Sequence, residues 1–175
     1  MNKKICVYCS SSDAVDKSFF EAAVALGKLI ALNGCSLVYG GTSVGLMGAL
    51  ARSVREHGGP VIGIIPQAIM QKGIAYEAAD ELIVTKDLRE RKAMMESRAD
   101  ALVALPGGFG TLEEILEMIT LKQLQLHSKP VIFINTNHFY DPLAEFFDTL
   151  VNQKFAKSES KHLYYMTPSP ENIFP

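Results

Sequence analysis

The chain has 175 residues, of which 48% are hydrophobic and 21% are charged, and its formal net charge at pH 7 is −2. This composition excludes a disordered chain, and the near-neutral charge excludes a broad basic surface for nucleic acid or anionic membranes. We therefore expect one globular domain over 1–175, without a nucleic-acid or membrane partner. Any anion that it binds must be held by a local site.

The N-terminal segment and the cysteines indicate a cytoplasmic protein. The sequence passes from Met1-Asn2-Lys3-Lys4 directly into a short apolar run, without a signal-peptide core or a membrane-spanning stretch. Its three cysteines are an odd number, which does not make a disulfide framework. Cys6 and Cys9 have the spacing of redox motifs, but they lie within a predicted strand, which favours packing in the core.

Strands and helices alternate along the chain. Apolar runs predict strands at 5–9, 35–39, 61–65, 82–85, 101–105 and 130–134, with an edge strand near 163–166. Helical spacing predicts helices near 19–30, 46–54, 87–98, 112–124 and 140–151, and the segment 67–80 is expected to be irregular. This pattern is typical of a doubly wound α/β domain with a parallel sheet and helices on both faces.

Ligands of such sheets bind outside the carboxyl ends of the strands. We therefore expect the loops 10–13, 40–45, 106–111 and the segment from Pro66 onward to surround one crevice.

The segment 106–111, which reads PGGFGT, follows an apolar strand and opens a helix. Glycines allow the backbone to approach a ligand closely, and the N–H groups of a helix start favour an anion. This spacing predicts a phosphate site. An alternative stays open, in which Thr111 caps the helix and Glu114 completes a capping box.

The glycine-rich segment 40–45 is compatible with two kinds of chemistry. The chain has neither the dinucleotide fingerprint nor the phosphate loop of nucleoside triphosphatases, so a mononucleotide or sugar phosphate fits better than NAD or ATP. The same segment contains G-x-S-x-G around Ser43, with Asp141 and His162 following in the order of a hydrolase triad. A serine hydrolase is therefore a competing hypothesis.

A run of charged residues precedes the central strand, with Arg89, Arg91, Lys92 and Arg98 as its cations. The ordinary interpretation is a solvated helix face, whereas one arginine could instead extend over the crevice and bind a phosphate. The four histidines are scattered and have no metal-ligand spacing, so we expect no metal site.

Several of these motifs occur together in one known family. Arg91-Lys92, the segment 106–114 (PGGFGTLEE) and the upstream segment 40–48 (GGTSVGLMG) resemble the LOG (Lonely Guy) family of cytokinin riboside 5′-monophosphate phosphoribohydrolases. The resemblance extends from Ile5 to about Met166. It implies a Rossmann-like fold, a homodimer and no cofactor. Relatives in the wider group carry the label lysine decarboxylase, but no motif here supports that activity.

The activity implied by the resemblance is hydrolysis of the N-glycosidic bond of AMP or N6-prenylated AMP, which yields the free base and ribose 5-phosphate. Arg91 and Glu114 match the catalytic positions of the family. The implied substrate-binding positions are Lys92, Gly107, Gly108, Phe109, Gly110, Thr111, Leu112, Glu113 and Thr120, to which we add Gly41 and Thr42 of the second glycine-rich turn.

The chain departs from the family pattern at two places. Leu88-Arg89 stands where many relatives have Met-His, and the segment 71–74 (QKGI) does not align clearly with an acidic substrate contact of some relatives. Base selectivity is therefore not assigned by the sequence.

Loss of a base leaves positive charge on ribose. A carboxylate at Glu114 would either stabilise this charge or orient the attacking water.

The remaining alternative is a carrier that binds a phosphorylated ligand without turnover, as in molybdenum-cofactor carrier proteins of similar fold.

Overall fold

Seven parallel strands form the centre of the fold in the computed structural model, which describes residues 2–174. The strands are β1 (Lys4–Tyr8), β2 (Ser36–Tyr39), β3 (Val61–Pro66), β4 (Glu81–Thr85), β5 (Ala101–Ala104), β6 (Val131–Ile134) and β7 (Tyr165–Thr167). The helices are α1 (Lys17–Leu32), α2 (Gly45–Glu56), α3 (Gln67–Met70), α4 (Leu88–Ser97), α5 (Phe109–Gln123) and α6 (Asp141–Asn152). Short 3-10 turns cover Thr136–His138, Ser158–His162 and Pro170–Ile173.

The strand order is β4-β3-β2-β1-β5-β6-β7, and every strand pairs in parallel with its neighbour. The chain winds outward from β1 to β4 and then crosses back to β5 on the other side of β1. This reversal opens a crevice at the carboxyl ends of β1 and β5, where doubly wound sheets bind their ligands. The predicted α/β fold class is therefore confirmed.

Alternate residues of β1 belong to two separate core layers. Ile5 and Val7 pack in the layer beneath α1 and α2, whereas Cys6 and Tyr8 pack in the layer beneath α4 and α5. Both faces of the central strand are thus covered, which explains why its sequence is continuously apolar. Burial raises the pKa of the Cys6 thiol to about 12. Cys6 and Cys9 are free and buried, as the core interpretation predicted.

Local sequence signals determine several helix ends. The Asp16 side chain accepts a hydrogen bond from the Ser18 N–H at the start of α1, and Asp87 accepts from Arg89 and Glu90 at the start of α4. These caps match the predicted helices. The segment 67–80 differs from the prediction only at its start, because its first four residues form the single helical turn α3.

The predicted edge strand in the C-terminal segment is confirmed as β7, which pairs with β6. Among residues 2–174, no helix has both the length and the apolar character needed to cross a membrane.

Candidate active site

A cavity of about 400 Å³ lies at the carboxyl ends of β1, β2 and β5. Its lining residues come from three of the four loops predicted to surround a crevice; the segment from Pro66 onward does not contribute. The residues that line it are Val7, Tyr8, Cys9, Ser10, Ser11, Ser12, Gly40, Met47, Arg91, Gly108, Phe109, Gly110, Thr111 and Glu114.

The start of α5 forms one wall of this cavity. Gly108 is the N-cap residue, and no side chain within residues 2–174 caps the first turn. The backbone N–H groups of that turn are therefore available to an anion, and the helix dipole favours negative charge there. The capping-box alternative is wrong, because Thr111 lies inside α5 and Glu114 bonds to Arg91 instead of the helix start.

Gly107 allows the turn before α5 to be tight. A Cβ on Gly107 would lie 2.6 Å from the Cβ of Thr111, closer than side-chain atoms can approach. The open sides of Gly108 and Gly110 face no protein atom within 4 Å. One glycine therefore serves packing, and the other two leave room in front of the helix start.

Arg91 and Glu114 form a buried ion pair in the wall of the cavity. Arg91 Nη1 donates to Glu114 Oε1 at 2.5 Å, and Arg91 Nε donates to the carbonyl oxygen of Ile64 at 3.1 Å. The two side chains are only 11% and 10% exposed. The solvated-face interpretation of α4 is therefore wrong for Arg91, which points toward the sheet.

Burial and the charge of Arg91 have opposite effects on the pKa of Glu114. Burial raises the pKa of the carboxyl and is the larger effect, while the nearby Arg91 guanidinium lowers the pKa. The net direction is upward from the ordinary value of 4.5. A carboxyl with a raised pKa beside a fixed cation is suited to proton transfer or to stabilising a developing positive charge.

Lys92 and Glu113 do not line the cavity. The Lys92 ammonium contacts the carboxylates of Glu113 and Glu117 on α5. Burial alone would lower the pKa of Lys92, but its hydrogen bonds to these two glutamates raise it. The three side chains thus form an ion-pair cluster next to the Arg91–Glu114 pair in the sequence, outside the cavity lining.

The other predicted substrate-binding residues occupy different surroundings. Phe109 lines the cavity mouth and is 93% exposed, whereas Leu112 packs against the core layer beneath α5. Gly107 lines a neighbouring apolar pocket of about 270 Å³. Thr120 lines a groove between α5 and α6, and its hydroxyl donates to the Leu116 carbonyl oxygen.

Gly41 and Thr42 lie beneath the surface of the second turn. Gly41 has a φ of +75°, and the Thr42 hydroxyl donates to Met47 Sδ at 3.5 Å. Neither residue lines the cavity, although both hold the loop that contributes Gly40. Their predicted contact with substrate, like that of Lys92, Leu112, Glu113 and Thr120, stays a prediction.

Sequence reasoning placed the loop 10–13 at the crevice but named none of its serines as a substrate-binding residue. Ser10, Ser11 and Ser12 line the cavity opposite the start of α5. Asp13 fixes this loop, because its carboxylate accepts a hydrogen bond from the Gly45 N–H at 2.9 Å. The available signal was the cluster of small hydroxyl residues at the end of the first predicted strand.

The serine-hydrolase hypothesis is wrong in its geometry. Ser43 Oγ donates to the Ile74 carbonyl oxygen at 3.1 Å. Asp141 accepts from Asn135 and lies 3.0 Å from His138 Nδ1, while His162 lines a different cavity. These three residues therefore do not form a catalytic triad. No group of three or more potential metal ligands occurs between residues 2 and 174.

Comparisons with known proteins agree on one group of enzymes and one fold. The family described as "Possible lysine decarboxylase" matches residues 47–175. The chain is 42% identical to the cytokinin riboside 5′-monophosphate phosphoribohydrolase LOG of Oryza sativa subsp. japonica, over 98% of this chain and 71% of that protein. It is 41% identical to the corresponding enzyme LOG5 of Arabidopsis thaliana, over 98% of this chain and 75% of that one.

Solved structures add neighbours of a different kind. The molybdenum cofactor binding protein of Rippkaea orientalis has a TM-score of 0.75 and 26% identity, with 98% of this chain and 93% of that chain covered. The Moco carrier protein of Chlamydomonas reinhardtii has a TM-score of 0.74 and 26% identity, with 98% and 92% covered.

Proposed function

Because the chain belongs to the LOG family of cytokinin riboside 5′-monophosphate phosphoribohydrolases, we propose that it hydrolyses the N-glycosidic bond of a nucleoside 5′-monophosphate. The products are a free base and ribose 5-phosphate, and the proposed substrates are AMP and N6-prenylated AMP. The observation that carries the proposal is the Arg91–Glu114 pair in the wall of a cavity that also contains an uncapped helix start.

The proposed binding mode divides the cavity into two parts. The phosphate binds at the start of α5, where the N–H groups of the first turn are uncapped and Gly108 and Gly110 leave space. The hydroxyl groups of Ser10–Ser12 on the opposite wall add donors to the same anion. Anchoring the phosphate in this way holds the ribose at a fixed distance from Glu114.

Glu114 acts on the sugar in the proposed mechanism. The C1′–N bond breaks and its electron pair leaves with the base, so positive charge develops on the ribose ring. The Glu114 carboxylate stabilises this charge or orients the attacking water. That water supplies the new hydroxyl on C1′ and the proton for the base nitrogen. Arg91 favours the ionised form of Glu114 and orients it, because it donates to one carboxylate oxygen and is itself held by Ile64.

The test is a direct assay of base release. Purified protein is incubated with AMP or N6-isopentenyl-AMP, and free base is quantified by chromatography. We expect Glu114→Gln and Arg91→Ala each to lower kcat/KM by about a hundredfold or more. Glu21→Gln is the control, because Glu21 is an exposed carboxylate of α1 whose partner is Lys17. Equal rates in wild type and Glu114→Gln, or no release of base by wild type, would contradict the proposal.

A carrier without catalytic activity is the second candidate function. It is favoured by the similarity to the molybdenum cofactor proteins, whose names describe binding or carriage. The catalytic pair argues against it, because a carrier does not require a buried carboxyl of raised pKa. A phosphorylated ligand that copurifies with the protein, together with no hydrolysis of any nucleoside monophosphate, would favour the carrier.

We also propose that the protein is a cytoplasmic homodimer. The family resemblance is the main support for the dimer, and the large exposed apolar side chains of Leu124, Leu126, Phe146 and Phe155 are consistent with it. The three free, buried cysteines fit a reducing compartment. Light scattering after size exclusion tests the dimer, and a mass near 19.2 kDa, that of one chain, would contradict it.

A further inference from the structure

Gly40, at the end of β2, lies directly against the guanidinium of Arg91. A Cβ on Gly40 would overlap Arg91 Nη2 and would lie 2.8 Å from Met47 Sδ. The φ of Gly40 is not in the left-handed region, in contrast to the φ of +75° at Gly41. The backbone at position 40 could therefore carry a side chain, but that side chain would enter the space that the Arg91 guanidinium occupies.

Each nitrogen of the Arg91 guanidinium lies against another part of the protein. Nε donates to Ile64 in β3, Nη1 donates to Glu114 on α5, and Nη2 faces Gly40, the residue after β2. The guanidinium is a rigid planar fork, so a shift at Nη2 also moves Nη1. The position of the Glu114 partner thus depends on the free space at Gly40.

We propose that Gly40 is a positioning residue for the catalytic pair: its missing side chain admits the Arg91 guanidinium to the place where Nη1 reaches Glu114. The inference rests on the proposed function, since it assigns Gly40 a part in the same reaction. A methyl group at this position displaces the guanidinium and weakens its contact with Glu114. The carboxyl then keeps its burial but loses part of its compensating charge.

The fold is expected to tolerate this change. The two atoms that a Gly40 Cβ meets first are Arg91 Nη2 and Met47 Sδ, which lie near the ends of flexible side chains. A Cβ at Gly41 would instead lie 3.0 Å from Ile65 Cβ and 3.3 Å from the Ile64 backbone nitrogen, with a positive φ as an added strain. Gly41→Ala is therefore the matched variant whose effect is on folding.

The experiment compares wild type, Gly40→Ala and Gly41→Ala in base release from AMP across pH and in urea unfolding. We expect Gly40→Ala to lower kcat/KM at least tenfold at pH 7, while its unfolding stays cooperative and its unfolding midpoint falls less than that of Gly41→Ala. The acidic limb of the pH–rate profile of Gly40→Ala should move to higher pH. Arg91 lowers the pKa of Glu114, and displacing Arg91 weakens that effect. Gly41→Ala should lower the unfolding midpoint.

Two results would overturn the inference. Gly40→Ala with the rate and pH profile of wild type would show that the space is not needed. A lower rate with an unshifted acidic limb would show that Gly40 does not act through Arg91 and Glu114. If Gly40→Ala does not unfold cooperatively, the double variant Gly40→Ala/Met47→Ala replaces it, because it lacks the contact with the Met47 sulfur. The same two results, an unchanged rate and pH profile or a lower rate with an unshifted acidic limb, would then overturn the inference. Wild type that releases no base would instead refute the proposed function, and this inference with it.

Discussion

Replacing Arg91 by Met should destabilise the protein in a pH-dependent way. The substitution keeps an unbranched side chain of helical propensity but removes the cation that faces Glu114. A carboxylate that is 10% exposed is then left without its partner. Breaking a buried ion pair from one side costs about 3–5 kcal/mol, and loss of the bond to the Ile64 carbonyl oxygen adds about 1 kcal/mol.

Protonation of Glu114 limits this cost. Burial already raises the pKa of Glu114, and removing the Arg91 charge raises it further. Because the pKa of Glu114 is higher in the folded state than in the unfolded state, protonation of Glu114 stabilises the folded state. This stabilisation is complete below the unfolded-state pKa and is lost as pH rises through the folded-state pKa. The loss of stability in Arg91→Met should therefore be about 4 kcal/mol at pH 8 and clearly smaller at pH 5.

Urea unfolding at pH 5 and pH 8 measures both numbers, and the double variant Arg91→Met/Glu114→Leu is the control. Replacing both charges by apolar groups should restore most of the stability, because no unpaired buried charge remains. The double variant should nevertheless release no base, which separates the structural role from the catalytic role. A loss of stability that does not depend on pH, or a double variant as unstable as the sum of both single variants, would refute the reasoning.

Three further predictions concern the same cavity. The acidic limb of the pH profile of kcat/KM should lie above pH 4.5, because the reaction requires ionised Glu114 and this form is lost as pH falls through its raised pKa. A limb at or below pH 4.5 would contradict this. Gly110→Ala should stabilise α5 by roughly 0.5–1 kcal/mol in urea unfolding yet raise KM for AMP, since its Cβ would occupy open space at the proposed phosphate site. An unchanged KM would place the phosphate elsewhere. Tyr8→Phe should leave the free energy of unfolding nearly unchanged, because the buried Tyr8 hydroxyl has only the weak Cys6 sulfur as a partner among residues 2–174. Tyr140→Phe should instead lower that free energy by about 1 kcal/mol, because the bond to the Leu105 carbonyl oxygen is lost.

The fold could be predicted from the sequence because its signals are local and agree with one another. The apolar runs at 5–9 and 101–105 mark the two central strands, and Asp16 and Asp87 are typical N-cap residues. The C-terminal strand was predicted from Leu163 to Met166 and forms at Tyr165–Thr167, so it starts two residues later and ends one residue later than predicted. Such shifts are expected, because hydrogen bonding to a neighbouring strand determines where a short edge strand ends.

The site was less accessible to sequence reasoning, because it depends on contacts between distant segments. Arg91 lies in a run of charged residues whose local pattern indicates a solvated helix, and only its bonds to Ile64 and Glu114 show that it is buried. The same holds for Gly40, whose neighbour Arg91 is 51 positions away in the chain. A family resemblance implies by position that Arg91 and Glu114 are the catalytic pair, but it does not indicate what surrounds the pair.

The start of α5 determines how the cavity is divided. If Thr111 were the N-cap, Glu114 would lie in the first turn and could bond back to the helix start. The helix begins instead at Phe109, so Glu114 lies about 7.5 Å farther along the axis at 1.5 Å per residue. This distance separates the positive end of the helix dipole from the carboxylate, so in the proposed binding mode the two act on different parts of one ligand. The uncapped N–H groups would bind its anion, while Glu114, nearly one and a half turns later, contacts Arg91 and would face the sugar.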